Sequence, residues 1–385
     1  MLHPSHVRCV TVRSASLSGT LAALLAASSC LGLAGCAARS TRPDAEQGSS
    51  VGSLRAERIA IPDAASRELV YFARQPMDPA ELALIAAEAP NLRIVSGLSH
   101  EEALARAAEA HGADAGYGSE AFLAKATRLR WLQATSAGVE RFITPALTAR
   151  DEVLLTNFRT VHGPAIAEHA FALLLALTRD LPGAIDAQRT SAWDRDGSMP
   201  RTALDGRTML VVGLGGIGSE IAKRGHAFGM RVLATRRSQA EKPDFVDRVE
   251  GPDALHALLA EADVVVIAAP LTAETEGLFD ERAFSAMREG SYLINIARGR
   301  IVVTEAMIAA LKSGRLAGAG LDVTEPEPLP AEHPLWREPR VIITPHIAGD
   351  AEITRARGAE LYRENLRRFA SGEPLLNIVD LKAGY

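Results

Sequence analysis

The sequence predicts an α/β fold with two doubly wound parallel-sheet domains, and three observations predict it. From Ile59 onward, short runs rich in β-branched residues alternate with alanine-rich helical stretches. This rhythm is typical of βαβ units, whose parallel sheets are covered by helices on both faces. A second alternation begins with the run Thr208–Val212, which leads into a glycine-rich turn at Gly213–Gly218. The 385 residues, 47% of them hydrophobic, are enough for two separate cores.

The first series of elements predicts one sheet with its helices. We expect strands at Leu69–Phe72, Leu92–Val95, Arg130–Ala134 and Val153–Thr156, and helices at Pro79–Ala89, His100–His111 and Glu120–Lys125. A long apolar helix is expected over Pro164–Leu181, because a proline in the first turn has no N–H to leave unpaired.

The second series predicts another sheet of the same kind. We expect strands at Thr208–Val212, Arg231–Thr235, Val264–Ala268, Tyr292–Asn295, Ala319–Val323 and Val341–Thr344, and helices at Ser219–Phe228 and Ala351–Phe369. The last helix follows the second series, and we expect it to pack back on the first. Ligands of such sheets bind beyond the carboxyl ends of the strands, so the site is expected in the cleft between the domains.

Composition excludes several classes of protein. The formal net charge of -5 and the lack of a basic stripe with interleaved aromatic residues give no support for nucleic-acid binding. All three cysteines, Cys9, Cys30 and Cys36, lie in the first tenth of the chain, so we expect no disulfide and no cysteine-based metal site in the folded part. The histidines show no ligand spacing, and no metal is predicted.

The turn "GLGGIG" predicts a dinucleotide site. Gly213, Gly215 and Gly218 have the GxGxxG spacing, after a β-branched strand and at the start of a helix. The first glycine permits the tight turn, the second lets the backbone approach a pyrophosphate, and the third allows close helix–strand packing. Gly216 and Ile217 complete the loop, and the helix N-terminus favours the phosphate charge. The alternative is a glycine turn that binds no ligand.

The end of the next strand bears on the choice of cofactor. In an NAD site an acidic residue stands there and accepts from the ribose hydroxyls, but this chain has Thr235, Arg236, Arg237 and Ser238. Arginines and hydroxyls bind a 2′-phosphate, which a carboxylate would repel. We therefore expect NADP(H) to be favoured, with NAD(H) possible. The alternative is a solvated loop in an enzyme that uses either cofactor.

Three residues at expected strand ends form a chemically coherent group. Arg298 is suited to bind a substrate carboxylate with two parallel hydrogen bonds. His346 is suited to exchange a proton with a carbonyl or hydroxyl group. Glu327 is suited to orient that histidine and to favour its charged form. Downstream of a dinucleotide loop, the group predicts a hydride-transfer site.

From about Ile59 the chain resembles the D-isomer-specific 2-hydroxyacid dehydrogenases. The resemblance rests on "VVGLGGIG", "ADVVVIAAPLTAETEGLF", "GSYLINIARGR", "LAGAGLDVTEPEPLP", "HPLW" and "ITPHIAG", in the family's order. It implies a Rossmann cofactor domain, residues 161–347, inserted in a flavodoxin-like substrate domain, residues 56–160 and 348–385. It also implies a homodimer formed through the cofactor domain.

The resemblance assigns roles residue by residue. Arg298 matches the substrate-binding arginine, Glu327 the glutamate of the catalytic pair, and His346 the acid/base histidine. Further matches are Ala137 and Gly138, whose N–H groups hold the substrate carboxylate; Asp322, near the nicotinamide carboxamide; and Ala297, Pro270 and Thr275, along the cofactor. Three positions depart from the family: Arg236 replaces an acid, Glu140 stands where aspartate is more usual, and Val303 stands where an acid is common.

These features predict an oxidoreductase that transfers a hydride between a nicotinamide cofactor, with NADPH favoured, and a small 2-oxoacid or D-2-hydroxyacid. Relatives that reduce glyoxylate and hydroxypyruvate share this scheme. The alternative is a catalytically silent, dinucleotide-sensing interaction protein of the corepressor type on the same fold.

The first residues predict export and anchoring. In residues 1–36 a basic start precedes the apolar stretch Leu17–Ala34, which ends in a Leu-Ala-Gly-Cys tetrad at Cys36. The tetrad resembles the bacterial lipobox, whose cysteine is lipidated. Residues 37–55 are expected to form a flexible tether. We therefore expect a lipoprotein on the periplasmic or other extracytoplasmic side of a membrane. The alternative is a mis-assigned start and a cytoplasmic enzyme.

Overall fold

The computed structural model describes residues 67–197, 201–238 and 240–385. The expected signal at residues 1–36, with Cys36, and the tether at residues 37–55 lie outside these ranges, as does the beginning of the expected substrate domain. Within the described ranges, no helix is both long enough and apolar enough to cross a membrane.

The first sheet has five parallel strands in the order β2-β1-β3-β4-β5. The strands are β1 Leu69–Ala73, β2 Leu92–Ser96, β3 Gly112–Asp114, β4 Trp131–Gln133 and β5 Leu154–Thr156. Its helices are α1 Pro79–Glu88, α2 His100–Ala105, α3 Glu120–Lys125 and α4 Pro145–Thr148. This strand order is that of flavodoxin-like sheets.

The second sheet has seven parallel strands in the order β12-β11-β10-β9-β6-β7-β8. The strands are β6 Thr208–Val212, β7 Arg231–Thr235, β8 Arg248–Glu250, β9 Val264–Ile267, β10 Ser291–Asn295, β11 Leu316–Leu321 and β12 Val341–Ile343. The helices of this part are α5 Gly163–Thr178, α6 Leu181–Arg189, α7 Gly216–Ala227, α8 Leu255–Leu259, α9 Glu281–Ala286 and α10 Thr304–Lys312. Successive strands are added on one side of β6 as far as β8, and then on its other side from β9 onward. The boundary between β6 and β9 is the switch point where dinucleotides bind in Rossmann sheets. The predicted fold class, two doubly wound parallel-sheet α/β domains, is confirmed.

The last helix, α11 Glu352–Ser371, follows the second sheet but packs on the first. The Phe369 and Tyr71 rings each lie 5.0 Å from the Trp131 ring. The Tyr71 and Tyr362 hydroxyls both donate to the buried Asp114 carboxylate at 2.8 Å. Burial raises the pKa of Asp114. The second domain is therefore inserted between two parts of the first, although the boundaries at residues 160/161 and 347/348 remain predictions.

The elements differ from the sequence-based expectation at a few places. Strands β3 and β8 were not expected, because each has only three residues and neither is a continuous apolar run. The expected helix Pro164–Leu181 is present as α5 Gly163–Thr178 and ends three residues earlier than expected. Asp180 adopts a left-handed backbone conformation with φ of 53°, and a separate helix, α6, begins at Leu181. Helix α7 begins at Gly216 rather than Ser219, so the glycine-rich turn itself forms the first turn of the helix.

Candidate active site

The glycine-rich loop between β6 and α7 has the geometry of a pyrophosphate cradle. Gly213 has a φ of +101°, a region that glycine adopts without strain. A Cβ added at Gly218 would lie 2.0 Å from the Gly213 carbonyl oxygen, so only glycine allows the helix to approach so closely. At Gly215, by contrast, an added Cβ would meet nothing within 4 Å. The open approach at Gly215 and the α7 N-terminus behind it fit the phosphates of a dinucleotide.

The arginines after β7 have different partners. Arg236 folds back on its own loop and donates to the carbonyl groups of Ser238, Ala240 and Glu241. The Nε of Arg237 instead donates to the Tyr385 hydroxyl at 3.1 Å. Two neighbouring positive charges are therefore held in different directions.

Two hydroxyls that the sequence assigned to the cofactor site bond to nearby backbone. The Thr235 hydroxyl is buried and accepts from the Gly213 N–H at 3.2 Å, which ties the end of β7 to the glycine loop. After β9, the Thr275 hydroxyl donates to the Pro270 carbonyl at 2.6 Å and accepts from the Thr272 N–H at 2.8 Å. Both hydroxyls shape the loops around the cradle, and their direct contact with a cofactor remains a prediction.

Arg298 reaches from the end of β10 across to the first domain. Its Nη1 donates to the Ala297 carbonyl at 2.6 Å, and its Nε forms an ion pair with the Glu140 carboxylate. Its Nη2 lies against Gly138, where an added Cβ would come within 1.6 Å of that atom. The guanidinium therefore lies directly on the loop that the sequence assigned to the substrate carboxylate.

Glu140 is held as a carboxylate beside this arginine. Burial on its own would raise the pKa of Glu140, but the hydrogen bond and the charge of Arg298 outweigh burial and hold that pKa below its usual value. The sequence predicts no role for Glu140 and shows only that it stands where the family more usually has aspartate. Its pairing with Arg298 joins positions 158 residues apart, and no local pattern signals it.

The loop at Ala137-Gly138 has its carbonyl groups bonded to protein. The Asn157 side chain donates to the Ala137 carbonyl at 2.8 Å, and the Ser136 hydroxyl donates to the Gly138 carbonyl at 2.7 Å. Because the peptide is planar and trans, the Gly138 N–H points away from Asn157. This orientation is compatible with the predicted role of the N–H in holding a carboxylate.

His346 and Glu327 form a close pair. The Nδ1 of His346 lies 2.6 Å from the Glu327 Oε1, and the two side chains are 47% and 40% exposed. With Nδ1 engaged, the other ring nitrogen, Nε2, is the atom suited to proton exchange with a ligand. His346 itself has a left-handed φ of 56°, a conformation that costs about 1–3 kcal/mol in a residue other than glycine and persists only where its surroundings enforce it.

The buried Asp322 enforces the shape of the histidine loop. Its carboxylate accepts from the Thr344 hydroxyl at 2.7 Å and from the N–H groups of Ile347 and Ala348 at 2.9 Å each. Its carbonyl accepts from the His346 N–H at 2.8 Å. Asp322 was predicted to contact the nicotinamide carboxamide. That role remains a prediction, whereas its bonds to the residues on both sides of His346 are present in the structure.

His169, on α5, extends the network around Asp322. Its Nε2 lies 2.8 Å from the Thr344 hydroxyl and 3.5 Å from the Asp322 carboxylate. The place of His169 beside the loop that carries His346 depends on how α5 lies against the ends of β11 and β12, which periodicity does not reveal.

The three predicted catalytic residues follow three neighbouring strands. Arg298 follows β10, Glu327 follows β11 and His346 follows β12, and these strands adjoin in the order β12-β11-β10. Neighbouring strands are about 4.8 Å apart, so their carboxyl ends bring the residues to one edge of the sheet. Among the described residues, no cluster of histidine, cysteine and acidic side chains is arranged to hold a metal ion.

Sequence comparison with known proteins points to one family of dehydrogenases. Residues 171–348 match the family model "D-isomer specific 2-hydroxyacid dehydrogenase, NAD binding domain". The chain is 39% identical over 254 residues to a glyoxylate reductase of Thermofilum pendens, covering 64% of this chain and 74% of that protein. It is 40% identical over 257 residues to a glyoxylate reductase of Pyrococcus furiosus, covering 64% and 75%.

Solved structures extend the likeness to the first domain. A D-isomer specific 2-hydroxyacid dehydrogenase family protein from Aeromonas salmonicida superposes with a TM-score of 0.70 at 36% identity, covering 82% of this chain and 99% of that one. A D-isomer specific 2-hydroxyacid dehydrogenase from Xanthobacter autotrophicus, solved in complex with NADPH and MES, superposes with a TM-score of 0.67 at 31% identity, covering 83% and 100%.

Proposed function

Since the chain belongs to the D-isomer-specific 2-hydroxyacid dehydrogenase family and is an NAD(P)-dependent dehydrogenase acting on a CH–OH group, we propose that it reduces small monocarboxylic 2-oxoacids and prefers NADPH. The observation that carries the proposal is the placement of Arg298, Glu327 and His346 after three adjoining strands, with the histidine bonded to the glutamate at 2.6 Å. Glyoxylate is the first candidate substrate, because several relatives are glyoxylate reductases.

The substrate carboxylate binds to Arg298 and the Gly138 N–H. The contact between Nη2 and Gly138 supports this placement, because it brings a cation and a backbone donor to one point. Glu140 next to them would repel a second acidic group, which favours acids with one carboxylate. A 2-oxoacid with a short, uncharged side chain satisfies both conditions.

The reaction divides between the cofactor and these side chains. The nicotinamide, when bound, supplies the hydride. As charge develops on the substrate oxygen, Arg298 stabilises it electrostatically and His346 donates a proton from Nε2. Glu327, bonded to Nδ1, fixes the orientation of the ring and leaves Nε2 free to face the substrate. In the oxidative direction His346 accepts the proton from the hydroxyl.

The preference for NADPH is supported by the side chains after β7. Thr235, Arg236, Arg237 and Ser238 place no carboxylate at the end of that strand, and Arg237 extends a guanidinium from it. A structural relative was solved with NADPH bound. Comparing kcat/KM for NADPH and NADH tests this part, and a preference for NADH would contradict it.

The central test is turnover with a panel of glyoxylate, hydroxypyruvate and pyruvate, followed by the loss of nicotinamide absorbance. Replacing His346 with alanine should lower kcat by a factor of about 10²–10⁴ while the protein still binds NADPH. The matched control is His256→Ala, an exposed histidine on α8, which should retain wild-type turnover. A wild-type protein that binds NADPH but reduces none of these acids, nor any other 2-oxoacid tested, would support the dinucleotide-sensing alternative instead.

We also propose that two copies associate through the cofactor domain. Helix α6 exposes Leu181 and Ile185, and the following segment exposes 94% of Trp193. Apolar side chains so close together on a surface are typical of an interface. Light scattering should give the mass of a dimer for the wild type and of a monomer for Trp193→Asp. An unchanged dimer in that variant would exclude this face.

Finally, we propose that the protein is anchored through a lipid at Cys36. The proposal is supported by the lipobox-like tetrad after an apolar stretch. Cys36→Ser should move the protein from the membrane fraction to the soluble fraction in cells. A wild-type protein already soluble in the cytoplasm would contradict the proposal and favour a mis-assigned start.

A further inference from the structure

We propose that Tyr385 is a cofactor-specificity residue, which holds the Arg237 guanidinium in place for the 2′-phosphate of an adenosine ribose. The proposal rests on the proposed preference for NADPH and deepens it. It concerns a residue outside the glycine loop and outside the strand-end segment, in a part of the chain that no sequence motif singled out.

Two contacts fix Arg237 on Tyr385. The guanidinium carbon lies 4.6 Å from the centre of the tyrosine ring, a cation–π distance. The Nε donates to the tyrosine hydroxyl at 3.1 Å. A guanidinium is planar and rigid, so a stacked face and one bonded edge leave little freedom for the rest of the group. Its Nη1 and Nη2 atoms are therefore presented in a defined direction, away from the bonded Nε.

The segment that carries Tyr385 is anchored in the first domain. Val379 and Leu381 are buried in the core of that domain, and Ile378 pairs with Thr156 on β5. From Asp380 the chain folds into a compact turn, in which the Asp380 N–H donates to the Tyr385 carbonyl at 3.1 Å and the Gly384 N–H donates to the Asp380 carbonyl at 2.9 Å. We call residues Asp380–Tyr385 the tyrosine turn. It is held at both ends and is not a loose tail.

The tyrosine turn touches the second domain on both sides of the glycine loop. Tyr385 contacts Arg237 after β7, and a Cβ added at Gly384 would lie 3.7 Å from a methyl group of Thr272, after β9. In the sheet, β7 and β9 are the two neighbours of β6, whose end opens the glycine loop. The turn therefore lies beside the switch point, where the adenosine half of a dinucleotide binds in this type of sheet.

Arg237 is better suited than Arg236 to bind an added phosphate. Arg236 already donates to three carbonyl groups of its own loop. Among the described residues, the hydrogen bond of the Arg237 side chain joins its Nε to the Tyr385 hydroxyl, and neither Nη atom takes part in it. The alternative is that Arg237 only balances the charge of the nearby Glu274 carboxylate. The pKa of Glu274 is lowered first by the hydrogen bond from the Thr272 hydroxyl and also by the charge of Arg237.

The test measures binding of two nucleotides that differ by one phosphate, 2′,5′-ADP and 5′-AMP, by calorimetry on the full protein. The wild type should bind 2′,5′-ADP more tightly than 5′-AMP by a factor of about ten or more, as expected for a charge-assisted contact with the added phosphate. Arg237→Ala should bring the two affinities close together. Tyr385→Leu should remove most of the difference, and Tyr385→Phe, which keeps the ring but loses the hydroxyl, should lie between Tyr385→Leu and the wild type.

Three controls make the result specific. Arg282→Ala removes the charge of an exposed arginine on α9 and should leave the ratio of affinities unchanged. Retained binding of 5′-AMP shows that each variant is folded. In the double variant Arg237→Ala/Tyr385→Leu, the tyrosine change should have no further effect, because its effect is transmitted through the arginine.

Two results would overturn the proposal. If Tyr385→Leu keeps the wild-type ratio, the tyrosine does not act on the phosphate contact, even where the enzyme still prefers NADPH. If the wild type binds both nucleotides equally, the 2′-phosphate contact itself is absent. Lack of turnover with 2-oxoacids while the nucleotide ratio is kept would instead contradict the proposed reaction and leave the role of Tyr385 intact.

Discussion

The loop that carries His346 and the loop that carries Arg237 both follow strands of the second sheet, but different kinds of contact hold them in place. The histidine loop is tied to the buried, 2% exposed carboxylate of Asp322 by one hydroxyl and two N–H groups. The arginine loop is exposed, and its arginines bond to carbonyls of the loop itself and to Tyr385. Proton transfer requires positioning to a fraction of an ångström, whereas recognition of an exposed phosphate tolerates a looser frame.

Replacing the buried carboxylate of Asp322 should have the largest effect. Asp322→Ala leaves the Thr344 hydroxyl and two N–H groups without their acceptor, and we expect a loss of about 3–5 kcal/mol in unfolding free energy. Turnover should also fall, because the backbone on both sides of His346 is no longer held by the Asp322 carboxylate. Asp322→Asn, which keeps the shape, should lose less. Denaturant titration measures the difference, and a loss below about 1 kcal/mol for Asp322→Ala would show that the loop does not depend on this residue.

Glu327→Gln should mainly affect catalysis. Both members of the pair are about half exposed, so stability should change by less than about 1 kcal/mol. We expect kcat for reduction to fall by a factor of about 10–10², because the neutral amide holds the His346 ring less firmly in the orientation needed for proton transfer. Steady-state kinetics with a 2-oxoacid measures the change. A kcat equal to that of the wild type would mean that Glu327 only shapes its loop.

The ion pair between Glu140 and Arg298 should have an intermediate effect, on substrate binding. In Glu140→Gln the charge of Arg298 is no longer opposed, and we expect KM for a 2-oxoacid to fall about threefold with kcat little changed. A higher KM would show instead that the carboxylate orients Arg298. The matched change at an exposed ion pair, Glu276→Gln beside Arg300, should leave KM unaltered.

The same pair has a pH signature. The folded-state pKa of Glu140 is lowered, so its contribution to stability is present above the ordinary carboxyl range and is lost as pH falls through the lowered value. The contribution should be below about 1 kcal/mol, because both side chains are partly exposed to solvent. Acid unfolding curves of wild type and Glu140→Gln should therefore converge at low pH. Curves that stay a constant distance apart would contradict this interpretation.

The smallest effect is expected at Arg236. Its guanidinium bonds to carbonyls of its own loop, so Arg236→Ala should change the kcat/KM ratio of NADPH to NADH by no more than about threefold. Arg237→Ala should change the same ratio by about tenfold or more. Equal effects of the two substitutions would show that the loop rearranges when the cofactor binds. The sequence singled out Arg236, because it replaces the family's acid, whereas the hydrogen bonds of the structure favour Arg237.

Much of the fold follows from local sequence. Runs of β-branched residues locate strands such as Thr208–Val212 and Arg231–Thr235, which the structure has with the expected bounds. The spacing of Gly213, Gly215 and Gly218 identifies the loop, because backbone freedom and close approach are properties of single residues. Short strands such as Gly112–Asp114 are missed, since their place in a sheet depends on neighbours distant in the chain.

The sequence by itself determined the fold class and predicted the glycine-rich loop and the set Arg298, Glu327 and His346, because each depends on residue type and on position at a strand end. Only the tertiary structure decided their partners. Asp322 and His169 hold the histidine loop from two different elements, and the ion pair of Arg298 and the contact of Arg237 with Tyr385 join residues more than a hundred positions apart. Such contacts arise when two domains and a returning segment are packed together, and no local periodicity encodes them.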